Sequence, residues 1–368
     1  MTLSHASAST HDFPALRGMQ GGRACYTIMC PLRLIPRLFQ YDDSGLPPEQ
    51  RAQRAINPGR IPEITDYLTE NQENYILPAL TASLDQEAEF IPTGEELVPL
   101  MGTLRIPREA RLLINDGQHR RAAIERAVTK KRELGHDSIP VLLFIDEGLK
   151  RSQQMFADLN RHAIRPSTSL NTLFDKRDAA SELARCVMQE VPCFRVLTDV
   201  EKSSLPQKSR KLFTLSSIKN ASWRFLGKRK RDSASADEHM QCIAFWVAIS
   251  QVMPEWLSAI QDPNLPMKLR QGSVHAHGVF LQALAVCCTS LRHEAPTQDI
   301  IEWYIKRLHP LANEDWRRTN PEWEGRCLRN GRISKSHTSV ELTASYLKQR
   351  LGIALSDEQY RLEETVSK

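Results

Sequence analysis

Residues 112–127, LLINDGQHRRAAIERA, run from aliphatic residues into Asp116-Gly117 and then place His119, Arg120 and Arg121 where a helix should begin. The first turn of a helix carries partial positive charge, so basic side chains there sit where cations are least welcome. An anion bound at the turn would remove the conflict. Gly117 lets the backbone bend tightly and lets a ligand approach closely. The amides of the following turn would then form an anion site together with His119 and Arg120. Arg120 offers a two-pronged fork to phosphate, and His119 can donate from either ring nitrogen. A structural corner, with Asp116 capping the helix and the basic groups solvated, fits the same letters, and spacing alone leaves both open.

Two further stretches carry concentrated positive charge. Residues 201–235 hold ten Lys/Arg against Glu201 and Asp232, a local +8 in a chain whose net charge is +5, so the remaining residues sum to −3. Lys208, Arg210, Lys211, Lys219, Lys228, Arg229, Lys230 and Arg231 are the DNA-contact candidates there. A basic stripe on a near-neutral body points to a polyanion partner, with a solvated linker as the plainer alternative. Residues 315–336, DWRRTNPEWEGRCLRNGRISKS, hold six Lys/Arg against three acids, with Trp316 and Trp323 interleaved. Arg317, Arg318, Arg329 and Arg332 are candidates for gripping phosphate and the tryptophans for stacking, unless they plug a helical core instead.

Of the eight cysteines, none forms a CxxC pair or a zinc-finger set with histidine. Most sit in apolar stretches and read as small hydrophobes. Cys25 and Cys30 flank YTIM near Arg23 and Arg33, surroundings that would lower a thiol pKa if the sulfur is exposed. His275 and His277 lack a nearby carboxylate or cysteine, so no metal site is assigned. GxSxG, HExxH and GxxxxGK[ST] are absent, and nothing in the chain demands a catalytic role.

The elements that must position these residues follow from periodicity. ACYTIMC (24–30), ARLLIND (110–116) and IPVLLFID (139–146) read as strands, and a helix from about Gln118 to Lys131 turns Ala123 and Ala127 inward. Pro31 is expected in a first helical turn. RIPEITDYL puts Ile61, Ile64 and Leu68 on one helical face, and YILPALTASLD (75–85), interrupted by Pro78, is expected along a sheet edge. Helices are expected over 149–161, with Met155, Phe156 and Leu159 inward, and over 168–190, with Leu170, Leu173 and Phe174 inward. Further on, HMQCIAFWVAISQVM (239–253) and VFLQALAVCCTSL (279–291) are apolar nearly all round and belong in a bundle core. IIEWYIKRL and VELTASYLKQRLG read as amphipathic helices, the second ending at Gly352.

The expected organisation is an α+β chain: a flexible tail over 1–20, a mixed domain over 21–200, a basic linker or DNA-contacting segment over 201–236, and a helical domain over 237–368. No basic-then-apolar leader is visible in residues 1–20, and the apolar runs fall short of the roughly 20 residues a membrane span needs. A cytoplasmic, nucleoid-associated protein is expected, with no membrane partner.

DGQHR at 116–120 is the signature of the DGQHR-domain proteins. RIPEITDYL precedes it, and FADLNRHAIRPSTSL, KLFTLSSIKNA and HAHGVFLQAL follow. In that order the chain resembles the DndB family, regulators associated with bacterial DNA phosphorothioate modification, from about residue 20 to 355. The resemblance implies an N-terminal domain similar to the ParB/sulfiredoxin fold, in which Asp116, Gly117, Gln118, His119 and Arg120 would hold phosphate. Sulfiredoxin carries its reactive cysteine directly before His-Arg. Here that position is Gln118, whose amide is no thiolate nucleophile. The second ParB box corresponds to ADLNRHAIRP, giving Asn160, Arg161 and Arg165 as further phosphate or nucleotide ligands, with Leu159 in place of the glutamate. Loss of that carboxylate argues against metal binding and hydrolysis.

The resemblance also implies a repressor bound to double-stranded promoter DNA at an inverted repeat, as a homodimer, with the modification enzymes as possible partners. No cofactor is required, and a nucleoside triphosphate is the ligand a ParB-like switch would take. Because the associated systems mobilise sulfur, Cys25 and Cys30 become candidates for redox or sulfur sensing.

Overall fold

The computed structural model describes residues 9–40, 57–94, 100–145, 154–155, 158–159 and 166–366. It divides between Ile164 and Arg165 into two units, one mixed and one mainly helical. The division falls earlier than the expected boundary at residue 200, because the helices after 168 pack with the helical unit.

The first unit is built on strands β1 (Thr10–Gln20), β2 (Arg23–Pro31), β3 (Phe39–Gln40), β4 (Leu80–Leu84), β5 (Glu89–Pro92), β6 (Met101–Pro107), β7 (Leu112–Asp116) and β8 (Ser138–Ile145). They form one eight-stranded sheet in the order β3-β7-β4-β8-β2-β1-β6-β5. The β3–β7 and β4–β8 pairs are parallel and the others antiparallel. In β2, Tyr26, Ile28 and Cys30 are buried while Thr27 and Met29 face out, the two-residue period of a strand lining a core. β4 is different: all five of its residues are buried, as in a strand covered on both faces. Its position between β7 and β8 corrects the expected sheet edge. Pro78 lies outside the strand, so the ladder loses no amide.

Residues 10–20, expected in a flexible tail, form β1 instead. Phe13 and Ala15 point into the core, and the strand pairs with β2 through 15–20 and with β6 through 10–16. Pro14 therefore has a partner on one side only, where its missing N–H costs nothing. Pro31 ends β2, and it is Pro36 that occupies the first turn of the short helix α1 (Ile35–Leu38).

Helices α2 (Arg60–Glu70) and α3 (Gln118–Lys130) pack on each other. Ala122, Ala123 and Ala127 keep the contact close, and the Thr65 hydroxyl donates to the Ile61 carbonyl at 2.9 Å in α2. Ala123 and Ala127 are buried, as their spacing predicts. Most of the helix expected over 149–161 lies outside the described residues; Leu159 is exposed, against its expected inward position.

The second unit contains α4 (Thr168–Phe174), α5 (Ala179–Glu190), α6 (Pro192–Leu197), the parallel pair β9 (Thr198–Asp199) and β10 (Phe213–Thr214), and α7 (Leu215–Phe225). Then come α8 (Ala236–Val252), α9 (Pro254–Gln261), α10 (Leu265–Gly272), α11 (Gly278–Cys288) and α12 (Ile300–Leu308). The hairpin β11 (Leu328–Arg329) and β12 (Arg332–Ile333) leads into α13 (His337–Leu351) and α14 (Asp357–Val366). The single helix expected over 168–190 is broken, because Asp178 caps a new helix by accepting from the Ser181 amide. Ser169 and Thr172 form the buried side of α4, and Phe174 is 67% exposed rather than inward.

Capping boxes start α7 (Thr214 with Ser217) and α8 (Ser235 with Glu238). Helices α8 and α11 lie in the core, with Phe225 stacked on Phe245 at 4.2 Å and Trp246 against Phe194. Residues 201–236, expected as a linker or contact segment, include α7, whose Ile218, Ala221 and Phe225 are fully buried. Among the described residues no single helix is long and apolar enough to cross a membrane, and the one pair that qualifies together, α8 and α9, is bent by 83°.

Candidate functional site

The DGQHR corner joins the end of β7 to the start of α3. Gly117 has φ of 107°, the left-handed region that L side chains rarely enter, and a Cβ there would lie 2.4 Å from Leu80 Cδ2. Both facts require glycine. No side chain caps α3 and no acidic residue stands in its first turn; Asp116, just before the N-cap, is the carboxylate beside its amide end. A cleft of about 390 Å³ lies beside it, lined by Arg60, Ile64, Tyr67, Asp116, Gly117 and His119 among others.

The basic side chains resolve the dipole conflict differently from the sequence expectation. The Arg120 guanidinium donates to the carbonyls of Pro78 (2.8 Å) and Ala79 (2.9 Å) and pairs with Asp116. Its fork ties α3 to the segment entering β4 and is already engaged, which corrects the expectation of a fork held open for phosphate. Arg121 is buried and donates to Phe39 O and Pro36 O, with Glu125 as its ion-pair partner. Gln118 is also buried and donates to Ile114 O and Asn115 O. These three residues staple the corner together. His119 accepts from the Asn57 amide at 3.0 Å through Nε2 and lines the cleft. Asn160, Arg161 and Arg165 lie outside the described residues.

Residues 13–354 match the DndB family, DNA-sulfur modification-associated. The chain belongs to the DndB family. Neither the curated proteins nor the solved structures supply a match. The family is associated with DNA sulfur modification.

The basic stretches of this DndB chain fall into two groups. Some of their cations are committed to the fold: Lys219 pairs with Asp178 at 2.6 Å and Lys228 with Glu238 at 2.8 Å. Those cations, with local hydrogen bonds, hold both carboxyl groups below their usual range despite partial burial. Lys211 donates to Val196 O, and Arg318 reaches Arg270 O and the His277 ring, both at 2.9 Å. Arg317 is exposed but forked onto Asp315, whose carboxyl it holds at about 2. The side chains of Lys208, Arg210, Arg229, Lys230, Arg231, Arg329 and Arg332 are exposed. Arg329 and Arg332 are register partners in the β11–β12 hairpin, either side of Asn330 and Gly331, both with positive φ. Trp316 and Trp323 are buried and stacked on each other at 5.5 Å, so they plug the helical core and are closed to bases.

Cys25 and Cys30 are both buried, which corrects the exposed thiols that the sensing expectation required. Cys30 faces the core of the sheet, where burial pushes its thiol up to about 12. His275 and His277 are buried as well. Trp256 Nε1 donates to His275 Nδ1 at 2.9 Å, and burial lowers the two imidazoles to about 4 and about 3. Among the described residues no group of three or more His, Cys, Asp or Glu is arranged to hold a metal ion.

Proposed function

We propose that this DndB-family chain is a DNA-binding transcriptional repressor of phosphorothioate-modification genes, acting as a dimer on an inverted repeat in promoter DNA. The observation that carries this reading is the exposed arginine pair of the β11–β12 hairpin. Like charges placed directly opposite one another across two strands repel, and a phosphate backbone lying over Arg329 and Arg332 relieves that repulsion. The exposed cations between Lys208 and Arg231 supply further phosphate contacts. Sequence selectivity rests on the family association.

The test is a mobility shift on the chain's own upstream duplex from 50 to 200 mM salt. About six neutralised phosphates give a log–log slope near −5 and a loss of roughly 10³ in affinity. Replacing Arg329 and Arg332 together by glutamine should lower the slope by about 2. Binding that ignores both salt and these substitutions would overturn the proposal.

The cleft at the uncapped start of α3 supports a second reading, a nucleotide-binding switch. Calorimetric heat from one nucleoside triphosphate, lost in His119→Ala, would favour it.

A further inference from the structure

Within the helical unit, two adjoining cavities of about 190 and 230 Å³ share Ser204, Leu205, Arg270, His277 and Lys335 as lining residues. Their walls contain Arg270, Arg318, Arg332 and Lys335 and no carboxylate at all. Arg270 is only 6% exposed. Its guanidinium donates to four backbone carbonyls, Leu205 (3.0 Å), Pro206 (3.3 Å), Leu212 (2.9 Å) and Ala276 (3.0 Å). Carbonyls satisfy its hydrogens without cancelling its charge. Neither Arg270 nor Arg318 forms an ion pair among the described residues, and Arg318 Nε is buried without any hydrogen-bond partner. Two arginines thus stand side by side, one buried and one half-buried, with no counter-ion. Burial, with the neighbouring Arg318 charge, lowers the Arg270 pKa to about 10. Buried charge is normally paired, so this unpaired positive charge marks a missing anion.

The backbone points the same way. Helix α11 begins at Gly278, on the cavity wall, with His277 at its N-cap position and no side chain capping its first amides. Gly278 also sets the spacing, since a Cβ there would lie 2.8 Å from Ser217 Cβ at the start of α7. His277 Nε2 lies 2.9 Å from the Arg318 guanidinium and 3.1 Å from the Arg270 carbonyl, which fixes the ring against the two arginines. Thr214, Ser216 and Ser217 also line the wall, their hydroxyls engaged with one another, with Ser169 and with the Thr214 carbonyl. Cationic side chains border the space, and the deeper cavity is smaller than the ~300 Å³ at which drug-sized ligand sites begin.

We infer that this cavity binds a small doubly charged oxyanion of the phosphate type, either free or as the head group of a phosphomonoester. The first amides of α11, the Lys335 ammonium and the Arg270–Arg318 pair together neutralise it, and the deeper cavity by itself matches a small anion in size. The cavity shares Arg332 with the hairpin surface proposed above but is centred on Arg270, His277 and Lys335, and it answers to a separate measurement.

The experiment is thermal unfolding of the full chain in inorganic phosphate, in a nucleoside monophosphate and in chloride at matched ionic strength, with calorimetry to obtain Kd. At ten times Kd, phosphate should raise the melting temperature by roughly 3 °C over chloride. Lys335→Glu and Ser204→Asp, both at exposed positions, should fold as wild type by circular dichroism and lose at least tenfold in phosphate affinity. An equal response of wild type and both variants would overturn the inference, as would no response to either small phosphate. Protection by duplex DNA alone would overturn it too, by assigning the cations to a polymer. A phosphate response in a chain that fails to shift promoter DNA would retain this site while removing the repressor reading.

Discussion

Substituting Arg120 by alanine separates a structural corner from a ligand-gripping one. The side chain is only 15% exposed and makes two hydrogen bonds from a charged group to the carbonyls of Pro78 and Ala79. Hydrogen bonds to charged groups contribute about 1.5–3 kcal/mol each. The Asp116 partner is 45% exposed, so solvent screens the ion pair and it adds little. Water entering the neighbouring cleft recovers part of the loss, leaving a net cost of about 3 kcal/mol. For a unit of this size, 1 kcal/mol moves the melting temperature by about 2–4 °C, so Arg120→Ala should lower the transition of the first unit by roughly 6–12 °C. Arg120→Lys, whose single ammonium cannot reach both carbonyls as the fork does, should lose about half as much. Differential scanning calorimetry on the full chain reads both. If Arg120→Ala melts within about 1 °C of wild type yet loses affinity for a phosphate ligand, the fork is a ligand group and the strut assignment is refuted.

Two other outcomes follow from the same structure. Gly117→Ala combines a positive φ with a Cβ 2.4 Å from Leu80 Cδ2, and should cost at least about 2 kcal/mol, read as a lower urea midpoint. His275 and His277 have folded values near 4 and 3, below the ~6.5 of a free imidazole, so the unfolded chain binds more protons between those limits. Their contribution is complete above about pH 6.5 and fades as the pH falls, amounting to about 2 kcal/mol lost per histidine at pH 5; equal urea midpoints for the helical unit at pH 7.5 and 5 would contradict it.

What the sequence revealed was local chemistry; what it concealed was partnership. The β7–α3 corner is legible because Asp-Gly marks a turn and the alanines of α3 recur four apart, features set by residues adjacent in the chain. β1 is hidden by a Ser/Thr/His-rich beginning and by Pro14, whose acceptability depends on which neighbour stops short of it. β4 is misplaced for a similar reason, since Pro78 is tolerable next to a central strand once the ladder starts after it. The basic stretches show the limit most clearly. A count of charges cannot distinguish Lys219, Lys228 and Arg318, tied to groups far away in sequence, from Arg329 and Arg332, which are exposed. Arg270 escapes notice altogether: one arginine in an amphipathic helix looks ordinary until burial strips it of water and supplies no acid.

The core that holds Trp316, Trp323 and Leu328 has a consequence for whatever meets the hairpin. Because Leu328 is buried in that core, Ile333 packs against it and the amides of Asn330 and Gly331 donate to the Glu324 carboxylate, the turn carrying Arg329 and Arg332 is anchored before any encounter. A floppy tip would forfeit about 1–2 kcal/mol of backbone freedom per residue on being immobilised. Here only the arginine side chains remain to be stilled, so attraction at this edge goes into grip rather than into ordering the chain.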